Sequence, residues 1–259
     1  MPFVETNGIN MYYEVHGEGP AVVLAHPGGG SHLSWWQQVP AFAESFRCIL
    51  FDHRGHGLTR DGPDDPSAHA YPQDLLGLLD HLEIEKTALV GQSMGGWTSL
   101  GLAAAHPERV SALVLGDSTG GVRDTAIDQH MTEMMSAGSR RIWAGAYTPQ
   151  FAADKPAHRF LYHEITAMNL PKPANLGAQF DVAYQLDAII EYHIPALFIV
   201  GEEDSLMPAH LIERVAQRLP GSRVVKIPAA AHSAYYEKPD EFNQIVLNFL
   251  QDTIQKDEC

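Results

Sequence analysis

Gly91-Gln92-Ser93-Met94-Gly95-Gly96 stands between a short apolar run, residues 87–90, and the small, apolar segment Met94–Ala105. The run reads as a buried strand, and the segment reads as a helix pressed against a sheet. A Gly-x-Ser-x-Gly pattern at that junction puts the serine on a sharp strand-to-helix turn, with its hydroxyl exposed and its backbone strained. Flanking glycines leave room where a β-carbon would clash, and the helix N-terminus favours developing negative charge. The same pattern recurs at Gly116-Asp117-Ser118-Thr119-Gly120, also after an apolar run, 110–115. There it is followed by polar Gly121-Val122-Arg123-Asp124, with no close-packing apolar helix. Context therefore selects Ser93 as the candidate nucleophile and leaves Ser118 as a loop residue.

A serine hydroxyl attacks only when a base takes its proton. Of 14 histidines, His232 is placed best, in the loop Pro228-Ala229-Ala230-Ala231-His232-Ser233 between the last strand and the last helix. A loop at the carboxyl edge of the sheet can reach the serine turn. The histidine needs an acid to fix its tautomer. Asp204, in Gly201-Glu202-Glu203-Asp204, follows the strand 196–200 and preserves the order nucleophile, acid, histidine. Asp117, at the same sheet edge, is the alternative. After the strand Ala21–Ala25 comes His26-Pro27-Gly28-Gly29-Gly30, whose glycines let backbone amides approach a substrate oxygen. Pro27 has no amide proton, so Gly28 and Met94 are the candidate oxyanion donors, and His26 is expected to brace the loop.

Around this centre, continuous apolar runs at 21–25, 46–51, 87–90, 110–115, 196–200 and 223–227 read as strands buried on both faces. Helical segments of ten or more residues lie between them, at 69–82, 94–105, 210–219 and 240–254. That alternation predicts a parallel sheet covered on both sides. The N-terminus adds a hairpin, Phe3–Thr6 and 9–15, around an Asn7-Gly8 type I′ turn. Residues 119–192 carry no convincing strand. Helical pieces broken by Pro149, Pro156, Pro171 and Pro173, and rich in Met and aromatic residues, suit a helical lid over an adaptable apolar pocket. The expected organisation is a core of 1–118 and 193–259 with a lid insert at 119–192.

Five pieces in order carry a resemblance: His26-Pro27-Gly28-Gly29, Asp52-His53-Arg54-Gly55-His56-Gly57, Gly91-Gln92-Ser93-Met94-Gly95-Gly96, Gly201-Glu202-Glu203-Asp204 and His232. The chain resembles the α/β-hydrolase superfamily over nearly its full length, in the lid-bearing form. The first piece is similar to the His-Gly-Gly-Gly loop of esterases and lipases. The resemblance implies the α/β-hydrolase fold, a serine nucleophile rather than the aspartate of haloalkane dehalogenases and epoxide hydrolases, and a structural Asp-x-Arg-Gly-x-Gly loop in which Arg54 and His56 are not catalytic.

The charge balance narrows the partners. Against 17 Lys and Arg stand 32 Asp and Glu, a net charge of −15. Such a surface repels nucleic acid and anionic membranes and favours a neutral or weakly anionic small molecule. Two cysteines, Cys48 and Cys259, cannot frame a disulfide scaffold. With no secretory leader in Met1–Glu5 and no apolar stretch near the ~20 residues of a membrane span, a cytoplasmic protein is expected. Gly28-Gly29-Gly30 fails the dinucleotide spacing because Leu33 holds the last glycine position. His53 and His56 find no third ligand in register, so neither metal nor cofactor is expected.

The chemistry these readings favour is hydrolysis of small carboxylic esters or lactones by Ser93, His232 and Asp204 through an acyl-enzyme. Trp35, Trp36, Trp97 and Trp143 are the candidate pocket walls. Cleavage of a C–C bond in vinylogous diketones is the alternative, with Arg140, Arg141 or Arg159 free to hold a carboxylate; Gln92, where those enzymes carry Asn, weighs against it. A small-molecule receptor on the same fold is the third possibility.

Overall fold

A computed structural model of the chain describes residues 2–60, 67–136, 145–169 and 182–257. Eight strands form one sheet: β1 Phe3–Thr6, β2 Ile9–His16, β3 Ala21–Ala25, β4 Arg47–Phe51, β5 Thr87–Gln92, β6 Val110–Gly116, β7 Ala196–Gly201 and β8 Arg223–Ile227. Their spatial order is β1-β2-β4-β3-β5-β6-β7-β8. β1 and β2 run antiparallel to each other, as do β2 and β4, and every other pairing is parallel. Asn7 and Gly8 turn the hairpin at φ 44° and 79°, as a type I′ turn demands.

Alternate residues of each central strand serve opposite cores, because successive side chains leave the backbone on opposite faces. Val23, Leu89, Leu113 and Phe198 pack on one side, beneath α2 (Tyr71–His81), α3 (Met94–Ala105) and α8 (Ala209–Ala216). Leu24, Val90, Val114 and Ile199 pack on the other. That side is closed by α1 (Val39–Phe42), α9 (Ala234–Glu237) and α10 (Pro239–Asp257), through Phe42, Tyr235, Phe242 and Val246. With both faces covered, most positions inside these strands must be apolar, which is why the runs lack a polar–apolar alternation. β5, β6 and β7 each extend one or two residues beyond the apolar runs, carrying Gln92, Gly116 and Gly201 to the carboxyl edge where the site is built.

Among the described residues of 119–192 there are helices and no strand. They are α4 (Thr125–Ser136), α5 (Pro149–Asp154), α6 (Pro156–Ala167) and α7 (Asp187–Glu191). Thr148 caps α5, its side chain accepting from the Phe151 amide at 3.1 Å. No helix of the described residues is long and apolar enough to cross a membrane.

Candidate active site

Ser93 sits between β5 and α3 at φ 52°, a positive-φ conformation that costs a non-glycine residue free energy and that its surroundings must hold. They hold it from both ends. The Ser93 amide donates to the Gly116 carbonyl at 2.8 Å, and the Ser118 hydroxyl donates to the Ser93 carbonyl at 2.8 Å. Ser118 is thus more than the loop residue expected of it. It is buried and braces the turn from the end of β6. Two glycines make the turn sterically possible: a β-carbon on Gly91 would meet the Gly95 carbonyl, and one on Gly95 would meet the carbonyl of Ala25.

His232 brings Nε2 to 2.9 Å from Ser93 Oγ, while its Nδ1 lies 2.9 Å from Asp204 Oδ2. With the Nδ1 proton donated to Asp204, Nε2 is left to accept from the serine hydroxyl. Asp204 is fixed in turn, because its Oδ1 accepts from the amides of Leu206 and Met207 at 2.8 and 2.9 Å. Burial disfavours the imidazolium, but Asp204, through its charge and its hydrogen bond, and Asp117, through its charge, outweigh it and hold the His232 pKa above its ordinary value. The Gln92 side-chain amide donates to the His232 backbone carbonyl, tying the serine turn to the histidine loop.

Asp117, the other candidate acid, makes no hydrogen bond to His232 among the described residues. Its oxygens accept from the Gly201 amide at 2.9 Å and from the Ala234 amide at 3.3 Å. Burial, and next the charge of Asp204, push its carboxyl well above the usual carboxylate range. It therefore joins the ends of β6, β7 and the histidine loop as a buried brace.

The segment 26–30, where the sequence places a candidate oxyanion donor at Gly28, is braced from several sides. His26 donates from Nδ1 to the Pro27 carbonyl at 2.7 Å, and its Nε2 accepts from the His53 amide at 3.0 Å. Burial above all depresses its pKa to about 3, so it braces the loop as a neutral ring. His56 lies against the same loop, its ring nitrogens 3.1 Å from the Arg54 carbonyl and 3.2 Å from the Gly28 carbonyl. Arg54 is spent on structure, donating through Nε and Nη2 to Asp74 at 2.8 and 2.6 Å in a buried pair. From the helical insert, Asn169 donates to the Gly30 carbonyl at 2.8 Å and accepts from the Gly57 amide at 2.7 Å. The Met94 amide opens α3 and so has no helical carbonyl of its own to donate to. No group of three or more His, Cys, Asp or Glu among the described residues could hold a metal ion.

The tryptophans divide. Trp35 is wholly buried, its ring 5.0 Å from Tyr235 and 6.5 Å from Phe242. The expectation of a pocket wall there is corrected, because a side chain with no accessible surface offers none to a substrate. Trp97 joins the core on the α3 side of the sheet. Trp36 is 39% exposed and packs outward on His158 and Tyr236. Trp143 lies outside the described residues, as do Arg140 and Arg141, and Arg159 is exposed on α6. Nearer the site, Tyr162 of α6 shares a hydrogen bond of 3.0 Å with Ser233, the neighbour of His232.

Sequence reasoning missed Gln92, Ser118, Glu237 and Asn169 as parts of this site. Glu237 accepts from Thr148 and from Ala231, joining the insert to the histidine loop. Gln92 and Asn169 meet partners 112 to 140 residues away along the chain, and Glu237 meets Thr148 89 residues away, so no local pattern announced those links.

Comparison with known proteins places this arrangement in context. The chain matches the family model described as alpha/beta hydrolase fold over residues 20–137 and 132–239. It is 30% identical over 261 residues to a putative carbamate hydrolase, RutD, of Caulobacter sp. (strain K31), covering 93% of this chain and 95% of that protein. It is also 30% identical over 258 residues to a putative non-heme bromoperoxidase, BpoC, of Mycobacterium tuberculosis, covering 93% and 98%. The solved structure of Est816, an N-acyl homoserine lactone degrading enzyme, superposes with a TM-score of 0.80 at 25% identity, covering 96% of this chain and all of that one.

Proposed function

The chain belongs to the α/β-hydrolase family and is a hydrolase of that fold, and from this premise we propose that it cleaves small carboxylic esters or lactones through an acyl-enzyme on Ser93. The observation that carries the reading is the continuous chain Ser93 Oγ–His232 Nε2, His232 Nδ1–Asp204 Oδ2, both links 2.9 Å. Ser93 Oγ attacks the substrate carbonyl as His232 takes its proton, and Asp204 holds the resulting imidazolium in place. The amides of Met94 and Gly28 receive the oxyanion; one such donor is worth about 2.7–4 kcal/mol of transition-state stabilisation. His232 returns the proton to the leaving alkoxide, then activates a water that releases the acid. The helical insert, 119–192, acts as the lid. A chain of net charge −15 favours neutral substrates over polyanions.

Likeness to a lactone-degrading enzyme and to a putative carbamate hydrolase supports a carbonyl of the ester, lactone or carbamate class as the reacting group. The test compares wild type with Ser93→Ala on nitrophenyl esters of graded chain length, simple lactones and an aryl carbamate. Turnover that falls by three or more powers of ten in the variant is expected. A wild type inert on the whole panel, or a variant as active as wild type, overturns the proposal.

A further inference from the structure

Glu237 ends the short helix α9, five residues beyond His232, and only 8% of its surface is exposed. Its two carboxylate oxygens accept three hydrogen bonds, two from a segment 89 residues away and one from the loop just before its own helix. Oε2 receives the Thr148 amide at 2.8 Å and the Thr148 hydroxyl at 2.6 Å, both from the insert. Oε1 receives the amide of Ala231 at 2.7 Å, immediately before His232. The His232 amide itself donates to the insert, to the Gly145 carbonyl at 3.4 Å. The backbone on which the imidazole is mounted is therefore held partly by the insert, and the carboxylate is the joint.

We propose that Glu237 is a positioning residue that fastens the helical insert to the His232 loop, so that the reach of the imidazole to Ser93 depends on the insert being docked. This rests on the hydrolytic reading of Ser93 and His232 given above. The joint needs two acceptor oxygens. Three donors converge on two oxygens, and a glutamine would replace one oxygen by an amide whose N–H faces a donor. Burial holds the carboxyl's pKa above its ordinary value, while the bonds from Thr148 and Ala231 pull in the opposite direction. A displacement of about 1 Å in a catalytic group can cost on the order of 100-fold in rate, so a loosened loop is felt in turnover before it is felt in binding.

The test uses the full chain carrying Glu237→Gln, Thr148→Val, both together, and Thr148→Ser, assayed on the best ester of the panel. Glu237→Gln is expected to lower kcat about tenfold or more with KM within about threefold, the signature of an interaction that matters only at the transition state. Thr148→Val is expected to lower kcat less, Thr148→Ser to restore it, and the double variant to be no worse than Glu237→Gln, because both changes break one joint. Amide hydrogen exchange supplies a readout independent of turnover: protection at Ala231 and Thr148 should fall together in Glu237→Gln. Wild-type kcat in Glu237→Gln, strictly additive losses, or a kcat loss that follows only the folded fraction overturns the proposal. Should Glu237→Gln fail to fold, Thr148→Val against Thr148→Ser decides on the same criteria. If the wild type itself is inert and Ser93 resists a fluorophosphonate label, the hydrolytic reading fails. The joint then stands or falls on whether exchange at Ala231 and Thr148 changes.

Discussion

Replacing Asp204 by asparagine separates the two carboxyls that crowd His232. The new side chain can keep the Oδ1 contacts to the Leu206 and Met207 amides, so it stays where the carboxylate was. What changes is the atom facing the imidazole: an N–H2 group now meets Nδ1, which drives the ring proton to Nε2, and the base can no longer accept from Ser93. Charge is lost as well. With charge centres about 4 Å apart and an effective dielectric of ~20, the attraction between the imidazolium and its carboxylate is about 4 kcal/mol, or close to three powers of ten in rate. An Asp-to-Asn change in a serine protease triad costs about 10⁴ through the wrong tautomer, so a fall in kcat of about 10³ to 10⁴ is expected. The assay is steady-state hydrolysis of a nitrophenyl ester from pH 5 to 9, with a urea titration to show that the variant folds. Asp117→Asn is the control, expected to change kcat less than about tenfold because its oxygens hold backbone amides and not the imidazole. The reasoning is refuted if Asp117→Asn loses three powers of ten while Asp204→Asn stays within tenfold of wild type.

Two further outcomes follow from the same charges. Since the folded pKa of His232 is raised, wild-type kcat/KM should climb through an apparent pKa above ~6.5, and Asp204→Asn should move that limb to lower pH. Linkage gives the opposite trend for stability. Protonated His232 contributes stability that is fully present below ~6.5 and lost as pH rises through the folded value, which denaturant midpoints in Ser93→Ala measured against Ser93→Ala/His232→Gln would reveal. Away from the site, Asp74→Ala takes the carboxylate from the buried Arg54 guanidinium and should cost about 3–5 kcal/mol in urea unfolding, with kcat per folded molecule little changed.

The parts of this molecule that announce themselves in the sequence are those whose physics is local. Asn7-Gly8 forces one turn type, continuous apolar runs must be covered on both faces, and Gly91 and Gly95 are spaced for the turn that Ser93 occupies. His232 and Asp204 are legible from their order and their place after strands. Trp35 is misread because residue type alone does not tell a core-facing ring from a pocket-facing one; the turn that follows the Gly28–Gly30 loop carries it inward against Tyr235. Glu237 and Asn169 lie in segments with ordinary composition. Their roles come from which distant backbone groups the topology sets beside them, the Thr148 amide beside Glu237 and the Gly30 carbonyl beside Asn169, and only the folded chain states that.

The contact between Gly95 and the Ala25 carbonyl reaches further than the glycine itself. Ala25 ends the strand that leads into the loop proposed to hold the oxyanion, and Gly95 lies two residues past the proposed nucleophile. The proposed attacking atom and anion cradle are therefore registered against each other main chain to main chain, with no side chain serving as a spacer. Distances set in that way are indifferent to what lines the cleft. A lineage could exchange pocket residues wholesale, turning from one acyl group to another, while the reacting geometry travelled unaltered. The same packing leaves the two glycines nearest the serine almost no latitude of their own.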